Sequence, residues 1–199
     1  MDLSALVYLL QNRCVTLLNP DSWDDTNDIH FMTLYRRGKK LRSLLAACFS
    51  ESDETYHHWH VFANGGSGVC VKFDRRRLIA ALDKVDGVRR GLVKYLSLDE
   101  IDGRPLGIEE LPFLKRYAYE HEEEYRVIFE SPGERLNSYD IPIPLTAIER
   151  VTLSPWMNRK LYFETKKLLR TIPGCDGLKI LQSTLISNEA WKEYGETAT

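Results

Sequence analysis

The chain has 199 residues, of which 43% are hydrophobic, and this composition is ordinary for a globular protein with a sizeable core. Its formal net charge is -2, so the chain as a whole has no electrostatic attraction for nucleic acid, and any such surface must be local. No stretch approaches the roughly 20 apolar residues of a membrane span, and the start lacks the features of a signal peptide. Four separated cysteines without Cys-x-x-Cys spacing indicate a reducing, cytoplasmic compartment and no zinc knuckle.

One helix and two strands are predicted in the first quarter of the chain. Apolar residues recur at helical spacing from Leu3 to Leu10, directly after Asp2, whose carboxylate can cap a helix. The apolar run Cys14–Leu18 predicts a strand that stops at Asn19-Pro20-Asp21. Ser43–Ser50 predicts a second, buried strand.

Helix and strand alternate in the middle of the chain. Helices are predicted over Asp53–Asn64 and Arg76–Val85, where apolar residues follow three- and four-residue steps, and Val69–Asp74 between them predicts a strand. Asp99–Pro112 is rich in Gly and Pro, which predicts a loop or lid with room for one helical turn at Ile108–Leu111.

The last third of the chain predicts a strand-helix-strand unit. Tyr125–Phe129 is a strong strand candidate, and it is followed by a strand at Ile148–Leu153, a helix at Trp156–Ile172 and a strand at Leu178–Leu181. We therefore predict a single α+β domain over residues 1–199, with a mixed sheet and a C-terminal strand-helix-strand unit over 148–183.

Basic residues are concentrated in two short segments of the chain. The first runs from Arg36 to Arg42, and the second is Arg75-Arg76-Arg77. Either segment could neutralise phosphates, although a solvated loop or helix start is the simpler explanation of both. Four residues of the first segment are the predicted nucleic-acid contacts: Arg36, Arg37, Lys39 and Lys40.

Three other short polar segments, which we call boxes, have simple structural explanations. The carboxylates of Asp24, Asp25 and Asp28 could bind a hard cation, but a capped turn that satisfies its own backbone accounts for them. The segment His57-His58-Trp59-His60 can bring only two imidazoles to one helix face, which favours a packed tryptophan over a metal site. The segment Gly65-Gly66-Ser67-Gly68 runs from helix into strand, the reverse of a phosphate loop, so it predicts a tight turn.

The segment from Lys115 to Phe129 is the most informative box. It holds four glutamates within five positions, directly before an apolar strand. In an extended chain Glu122, Glu124 and Arg126 would share one face. The box therefore predicts either the rim of a functional cleft, with Glu124 solvated, or a structural ion pair between Glu124 and Arg126.

Taken together, the boxes resemble an uncharacterised bacterial family of unknown function. The shared features are Asn19-Pro20 with Trp23-Asp24-Asp25, Cys48-Phe49-Ser50, His58-Trp59, Gly68 to Phe73, Lys115, Tyr119 and Glu122-x-Glu124-Tyr125-Arg126. This chain has Tyr119 where the family pattern has Trp, and His58 where it has Met. More distantly, the order of the boxes resembles the ADP-ribosyl transferase fold, including toxins of phage-defence and toxin-antitoxin systems.

The resemblance implies an NAD-dependent ADP-ribosyl transferase that uses NAD as a substrate and needs no metal. Glu124 would be the catalytic carboxylate that faces the oxocarbenium-like centre formed when the nicotinamide bond breaks. Glu122 would orient or deprotonate the acceptor.

The same resemblance implies the residues that would hold NAD. They are Arg13 directly before an early strand, Ser50 and Ser52, Tyr119 and Tyr125 as stacking rings, and Arg126. The acceptor would be a macromolecule, RNA, DNA or protein, and an antitoxin or chaperone could accompany the chain.

Two other function classes fit the same residues. A metal-dependent nuclease would use the Asp24-Asp25-Asp28 box with Glu122 or Glu124 and a histidine. A partner-binding module without catalysis would dock the acidic box on a basic protein surface.

Overall fold

Helices and strands alternate along the chain in the structure, a computed structural model that describes residues 1–63 and 65–196. Among these residues the helices are α1 (Leu3–Asn12), α2 (Thr26–Gly38), α3 (Tyr56–Phe62), α4 (Arg75–Leu82), α5 (Leu98–Ile101), α6 (Arg159–Arg170) and α7 (Glu189–Glu196). The strands are β1 (Cys14–Leu18), β2 (Ser43–Ser50), β3 (Val69–Phe73), β4 (Val88–Leu92), β5 (Lys94–Leu96), β6 (Leu114–Arg116), β7 (Glu124–Ser131), β8 (Ser138–Pro142), β9 (Ile148–Leu153) and β10 (Ile180–Gln182). The predicted α+β class with mixed sheets is confirmed. None of the described helices is both long enough and apolar enough to cross a membrane.

Contacts between residues divide the chain into two units, each assembled from separate segments. The first unit comprises residues 1–14, 54–79 and the chain from 143 onward. The second unit comprises residues 15–53 and 80–142. The interpretation of residues 1–199 as a single domain stays a prediction.

The first unit is built on a three-stranded mixed sheet with the order β10-β9-β3. Strands β9 and β10 are parallel, with Ile180 opposite Val151, whereas β3 runs antiparallel to β9. Parallel neighbours need a crossover connection, and α6 lies between β9 and β10 in the chain. The predicted strand-helix-strand unit over 148–183 is therefore confirmed.

The second unit is built on a five-stranded sheet with the order β4-β7-β2-β1-β8. Its central pair, β2 and β7, is antiparallel along its whole length, from Ser43 opposite Ser131 to Ser50 opposite Glu124. A separate parallel pair is formed by β5 and β6. This register brings the end of β2 beside the start of β7.

One face of the second unit's sheet is covered by α2. A buried cluster joins Met32 and Tyr35 of α2 to Leu44 and Ala46 of β2 and to Ile128 of β7. The 3₁₀ helix Ile108–Phe113 packs against the same helix. Burial of this apolar surface fixes α2 across the strands that carry the candidate site.

Most predicted elements are confirmed with small shifts at their ends. Asp2 caps α1 by accepting a hydrogen bond from the Ala5 amide at 2.8 Å. Helix α3 begins at Tyr56 rather than Asp53, because the Thr55 side chain caps it. The predicted end of that helix, Asn64, lies outside the described residues. Helix α4 ends at Leu82, earlier than the predicted Val85.

The elements α2, β4 and α5 of the second unit were not predicted. Asp24–Asp28 was expected to be a capped turn, and Asp25 does cap, but Asp28 lies in the first turn of the thirteen-residue α2. The segment 36–42 was expected to be a loop or helix start, but Arg36 and Arg37 lie in the last turn of α2. The buried positions of α2 include Asp28, a carboxylate, which removes the apolar signal from its first turn. Strand β4 was not predicted because its centre reads Arg89-Arg90-Gly91. The segment 99–112 was expected to be a loop with room for one helical turn at Ile108–Leu111. The 3₁₀ helix Ile108–Phe113 confirms that turn, whereas α5 at Leu98–Ile101 was not predicted.

The cluster beneath α2 should account for much of the second unit's stability. Ile128 is fully buried in this cluster, whereas Leu92 on the neighbouring strand β4 is 61% exposed. We expect Ile128→Ala to lower the free energy of unfolding by about 2–5 kcal/mol, because it leaves a cavity. The matched change Leu92→Ala should alter it by less than about 0.5 kcal/mol. Urea unfolding of both variants measures the difference, and equal losses would contradict this assignment of the core.

Candidate functional site

The predicted serine and glutamate boxes meet at one end of the second unit's central strand pair. Ser50, the last residue of β2, lies directly opposite Glu124, the first residue of β7. Two residues further along, Cys48 lies opposite Arg126. Residues at alternate positions of paired strands share one face, so these four side chains project from the same side of the sheet.

Arg126 is the centre of a buried charge cluster. Its side chain is fully buried, and its guanidinium donates to Asp28 at 2.7 and 2.6 Å and to Glu124 at 2.6 and 3.0 Å. A fifth hydrogen bond, of 2.9 Å, goes to the Pro112 carbonyl. The Trp23 ring centre lies 4.9 Å from the guanidinium carbon. All five N–H donors of Arg126 are therefore used, and one flat face is covered by an aromatic ring.

Lys115 on β6 is the second cation of this cluster. Its ammonium nitrogen lies 2.6 Å from Glu122 Oε2, 3.3 Å from Glu124 Oε2 and 4.0 Å from Asp28 Oδ2. The Tyr119 ring centre lies 4.8 Å from the same nitrogen. Lys115 thus connects the two glutamates of the Glu122-x-Glu124 motif.

The charge cluster consists of Asp28, Lys115, Glu122, Glu124 and Arg126. Three carboxylates face two cations, which leaves one formal negative charge. Burial opposes ionisation of Glu124, but the attraction of Arg126 and Lys115 outweighs it and lowers the pKa of that carboxyl. Burial raises the pKa of Asp28 despite its bonds to Arg126. Burial also opposes the charge of Lys115, yet the surrounding carboxylates raise its pKa.

Two serines border the charge cluster. The Ser50 hydroxyl donates to the Glu122 carbonyl oxygen at 2.9 Å, and it lies 2.9 Å from the Ser52 hydroxyl. Ser50 is exposed and Ser52 is half-buried. These hydroxyls are accessible to a ligand, whereas the carboxylates beside them are largely covered.

The path of the chain between the two glutamates differs from the prediction. Glu122 ends a 3₁₀ helix rather than lying in an extended segment, and Glu123 adopts a left-handed conformation with φ of 42°. A non-glycine residue in that region is uncommon. Glu122 and Glu124 reach Lys115 because the chain turns at Glu123, and strand alternation begins only at Glu124.

The environment of Glu124 also corrects an expectation. We expected a solvated carboxylate at a cleft rim, but Glu124 is 4% exposed. Its ion pair with Arg126, the alternative interpretation of the box, is present. The strand start is buried because α2 brings Asp28 over it.

Two of the predicted NAD contacts neither belong to the charge cluster nor border it, whereas Ser50, Ser52 and Tyr119 lie at its edge. Arg13 belongs to the first unit, where it ends α1 with φ of 53° and its carbonyl accepts from the Ile143 amide. Tyr125 alternates with Glu124 and Arg126, so it faces the other side of the sheet, where its hydroxyl accepts from Arg90 at 2.9 Å.

The predicted nucleic-acid contacts lie at the C-terminal end of α2. Arg36 lies 3.9 Å from Asp21, and Lys39 forms a 2.7 Å ion pair with Glu109. Arg37 and Lys40 are exposed. Half of this basic segment therefore has a carboxylate partner within the second unit.

The contacts of Asp28 and Trp23 with Arg126 were not predicted from the sequence. Asp28 was considered as part of a capped turn or as a metal ligand, although its spacing from Met32 and Tyr35 is that of one helix face. An acid at a core-facing helix position was the available signal, since such a group needs a cationic partner. The neighbouring Asp25 caps α2 through the Asn27 amide. Over the ranges 1–63 and 65–196, no group of three or more His, Cys, Asp or Glu side chains is arranged to hold a metal ion.

Comparisons of this chain with known protein families, with curated proteins and with solved structures give no match. The site itself therefore carries the evidence for function. Its distinguishing features are a buried cluster with one excess negative charge and a pair of hydroxyls at its edge.

The buried guanidinium of Arg126 should contribute far more to the free energy of unfolding than an exposed guanidinium does. Arg126→Met keeps the unbranched stem but leaves Asp28 and Glu124 without the guanidinium, and we expect it to cost about 3–5 kcal/mol of unfolding free energy. Arg104, which pairs with Glu110 at 2.5 Å on the partly exposed surface, is the matched control. Arg104→Met should cost less than about 1 kcal/mol. Chemical denaturation at pH 7 compares the two, and similar costs would show that the cluster is not the second unit's electrostatic centre.

Proposed function

We propose that the Glu124 end of the second unit's sheet is the active site of an NAD-dependent ADP-ribosyl transferase. The observation that carries this proposal is the pairing of Ser50 with Glu124 across adjacent strands, together with the bond from Ser50 to the Glu122 carbonyl. In the resemblance to this enzyme class, a serine motif and a paired-glutamate motif form one site. Their juxtaposition supports that assignment and an ADP-ribosyl-transferase-like fold for the strands concerned.

The charge of the cluster suits the chemistry of NAD. The nicotinamide ring of NAD is cationic, and cleavage of its glycosidic bond generates an oxocarbenium-like centre. A site that keeps one excess negative charge in place lowers the energy of such a centre without reorganising during the reaction. The lowered pKa of Glu124 keeps that carboxylate ionised at neutral pH, as this role requires.

The residues divide into groups that contact substrate and groups that position them. Glu124 faces the developing cation, and Glu122 orients the acceptor nucleophile. Ser50 and Ser52 bind the ribose hydroxyls, and Tyr119 offers a ring for stacking. Arg126 acts as a positioning residue, since all of its donors are engaged within the protein.

The proposed reaction transfers ADP-ribose from NAD to a macromolecular acceptor with release of nicotinamide. A toxin or phage-defence effector that modifies a nucleic acid or protein is the biological role we propose, with an antitoxin or chaperone as its regulatory partner. Incubating the purified protein with labelled NAD and cell lysate, followed by protease or nuclease digestion, identifies the polymer that carries the label. Cleavage of nucleic acid that EDTA abolishes, without any labelled product, would instead support a metal-dependent nuclease.

NAD should stabilise the free protein, because a ligand that binds only the folded state raises its unfolding free energy. At a concentration of about 100 times Kd the gain is about 2.7 kcal/mol, which a thermal-shift assay detects. NADH is the matched control because its reduced nicotinamide ring is neutral. We expect a larger shift with NAD than with NADH, and a smaller difference between the two ligands in Glu124→Gln, which removes the excess negative charge. Absence of a shift at millimolar NAD would count against the proposal.

Glu124→Gln should reduce ADP-ribosyl transfer by about a hundredfold or more, because the amide keeps the shape and loses the charge. Glu120→Gln, on the exposed 3₁₀ helix before the strand, is the matched control and should be nearly silent. Ser50→Ala leaves every charge in place, and we expect a loss of about three- to tenfold from the missing hydrogen bond. Labelled-NAD assays on variants with the circular dichroism of the wild type provide the measurement. Equal activity of Glu124→Gln and Glu120→Gln would remove Glu124 from the catalytic role.

A further inference from the structure

Helix α6 in the first unit presents a strongly basic face. With 100° between successive residues, positions spaced 1, 4, 7, 8 and 11 residues from Arg159 fall on one side of a helix. The residues on that side are Arg159, Lys160, Phe163, Lys166, Lys167 and Arg170. Five cations and one aromatic ring thus lie on one side of the helix, over a length of about 16 Å along its axis. No other face of α6 carries a cation.

The cations of this face, which we call the α6 basic face, are not neutralised by carboxylates. In the described part of the first unit, none of the five takes part in an ion pair. Lys166 donates to the Tyr162 hydroxyl at 3.2 Å, and the Arg159 guanidinium carbon lies 5.9 Å from the Phe163 ring centre. Glu164 is the one acid in the helix, and it lies beside the face rather than on it. The positive charge is therefore available to an anionic partner.

The α6 basic face lies outside the packed side of the helix, and four of its five cations are exposed while Lys166 is half-buried. Leu169 is fully buried, and the Tyr162 hydroxyl lies 3.4 Å from the Ile180 carbonyl oxygen of β10. Phe163, in the middle of the cations, is 53% exposed. The Phe163 ring meets the Tyr162 ring edge-on with 5.1 Å between the ring centres, and the exposed part of Phe163 remains open to a ligand.

We propose that the α6 basic face binds single-stranded nucleic acid, with its cations on the phosphate backbone and Phe163 stacked on a base. Grooves or faces that combine cations with exposed aromatic rings bind single strands, because each base offers a flat face for stacking. The chain's net charge is -2, so a local concentration of unpaired cations is what electrostatic attraction to a polyanion requires. This proposal does not depend on NAD chemistry.

Two observations favour this surface and this partner over the alternatives. The predicted basic segment on α2 has Arg36 and Lys39 close to carboxylates, whereas the α6 cations have none. A helix that binds a lipid surface inserts a broad apolar face, whereas on α6 Leu169 is buried in the fold and the exposed Leu161 and Leu168 form only a narrow strip. The exposed Leu161 and Leu168 lie on a different side of the helix from Phe163.

The charge contribution is tested with the full chain and a fluorescein-labelled 20-nucleotide oligo-dT, using anisotropy at several salt concentrations. The triple variant Lys160→Gln, Lys167→Gln, Arg170→Gln should bind at least about tenfold more weakly at low salt. The slope of log affinity against log salt should decrease in magnitude by about 2, which is about 0.7 for each lost phosphate contact. The matched control replaces Arg36, Arg37, Lys39 and Lys40 with Ser and should leave the slope unchanged. If the salt dependence becomes weaker in the control and is unchanged in the α6 variant, the binding surface is on α2 and the proposal is wrong.

The stacking contribution is tested with Phe163→Leu, which keeps apolar bulk and removes the ring. We expect affinity for oligo-dT to fall by about fivefold or more, with little change for a duplex of the same length. Thermal unfolding should match that of the wild type, since the substituted side chains are exposed. Equal binding of Phe163→Leu and wild type to oligo-dT would overturn the stacking role. Binding to vesicles of anionic phospholipid without binding to oligo-dT would overturn the nucleic-acid assignment altogether.

Discussion

The guanidinium of Arg126 must be neutralised within the fold, and this requirement determines how the second unit is assembled. A buried arginine cannot lose its charge, so its donors need acceptors at short range. Asp28 of α2, Glu124 of β7 and the Pro112 carbonyl supply them. Each acceptor comes from a different segment, and Arg126 therefore connects the helix, the sheet and the 3₁₀ helix at a single point.

The electrostatic properties of the candidate site also depend on Arg126. Glu124 is held ionised by Arg126 and Lys115, and Glu122 is drawn to Lys115 by the turn at Glu123. The excess of one carboxylate over the cations gives the site a net negative charge, whereas Ser50 and Ser52 supply accessible hydroxyls. A substrate at this end of the sheet would meet polar groups that are fixed before it arrives, which is the condition for electrostatic stabilisation of a transition state.

Sequence patterns predicted those parts of the fold in which burial and apolar residues coincide. Strands β2, β7 and β9 each contain a run of buried apolar residues, and they appear where the pattern indicated. The juxtaposition of Ser50 with Glu124 followed only from a resemblance, because strand pairing depends on contacts between distant segments. Helix α2 was missed for a physical reason, since Asp28 occupies a position that normally carries an apolar residue. The burial of Glu124 was missed for the same reason: without α2, nothing in the sequence covers the start of β7.

The segmental construction of the two units has a consequence for synthesis of the chain. The second unit is complete once residue 142 has been made, whereas the first unit lacks β9, α6 and β10 until about forty residues later. During translation the sheet that carries Glu124 can therefore form before residues 1–14 and 54–79 have the later segment, from residue 143 onward, to pack against. In a growing polypeptide, the part that holds the charge cluster would mature before the helix with the basic face exists.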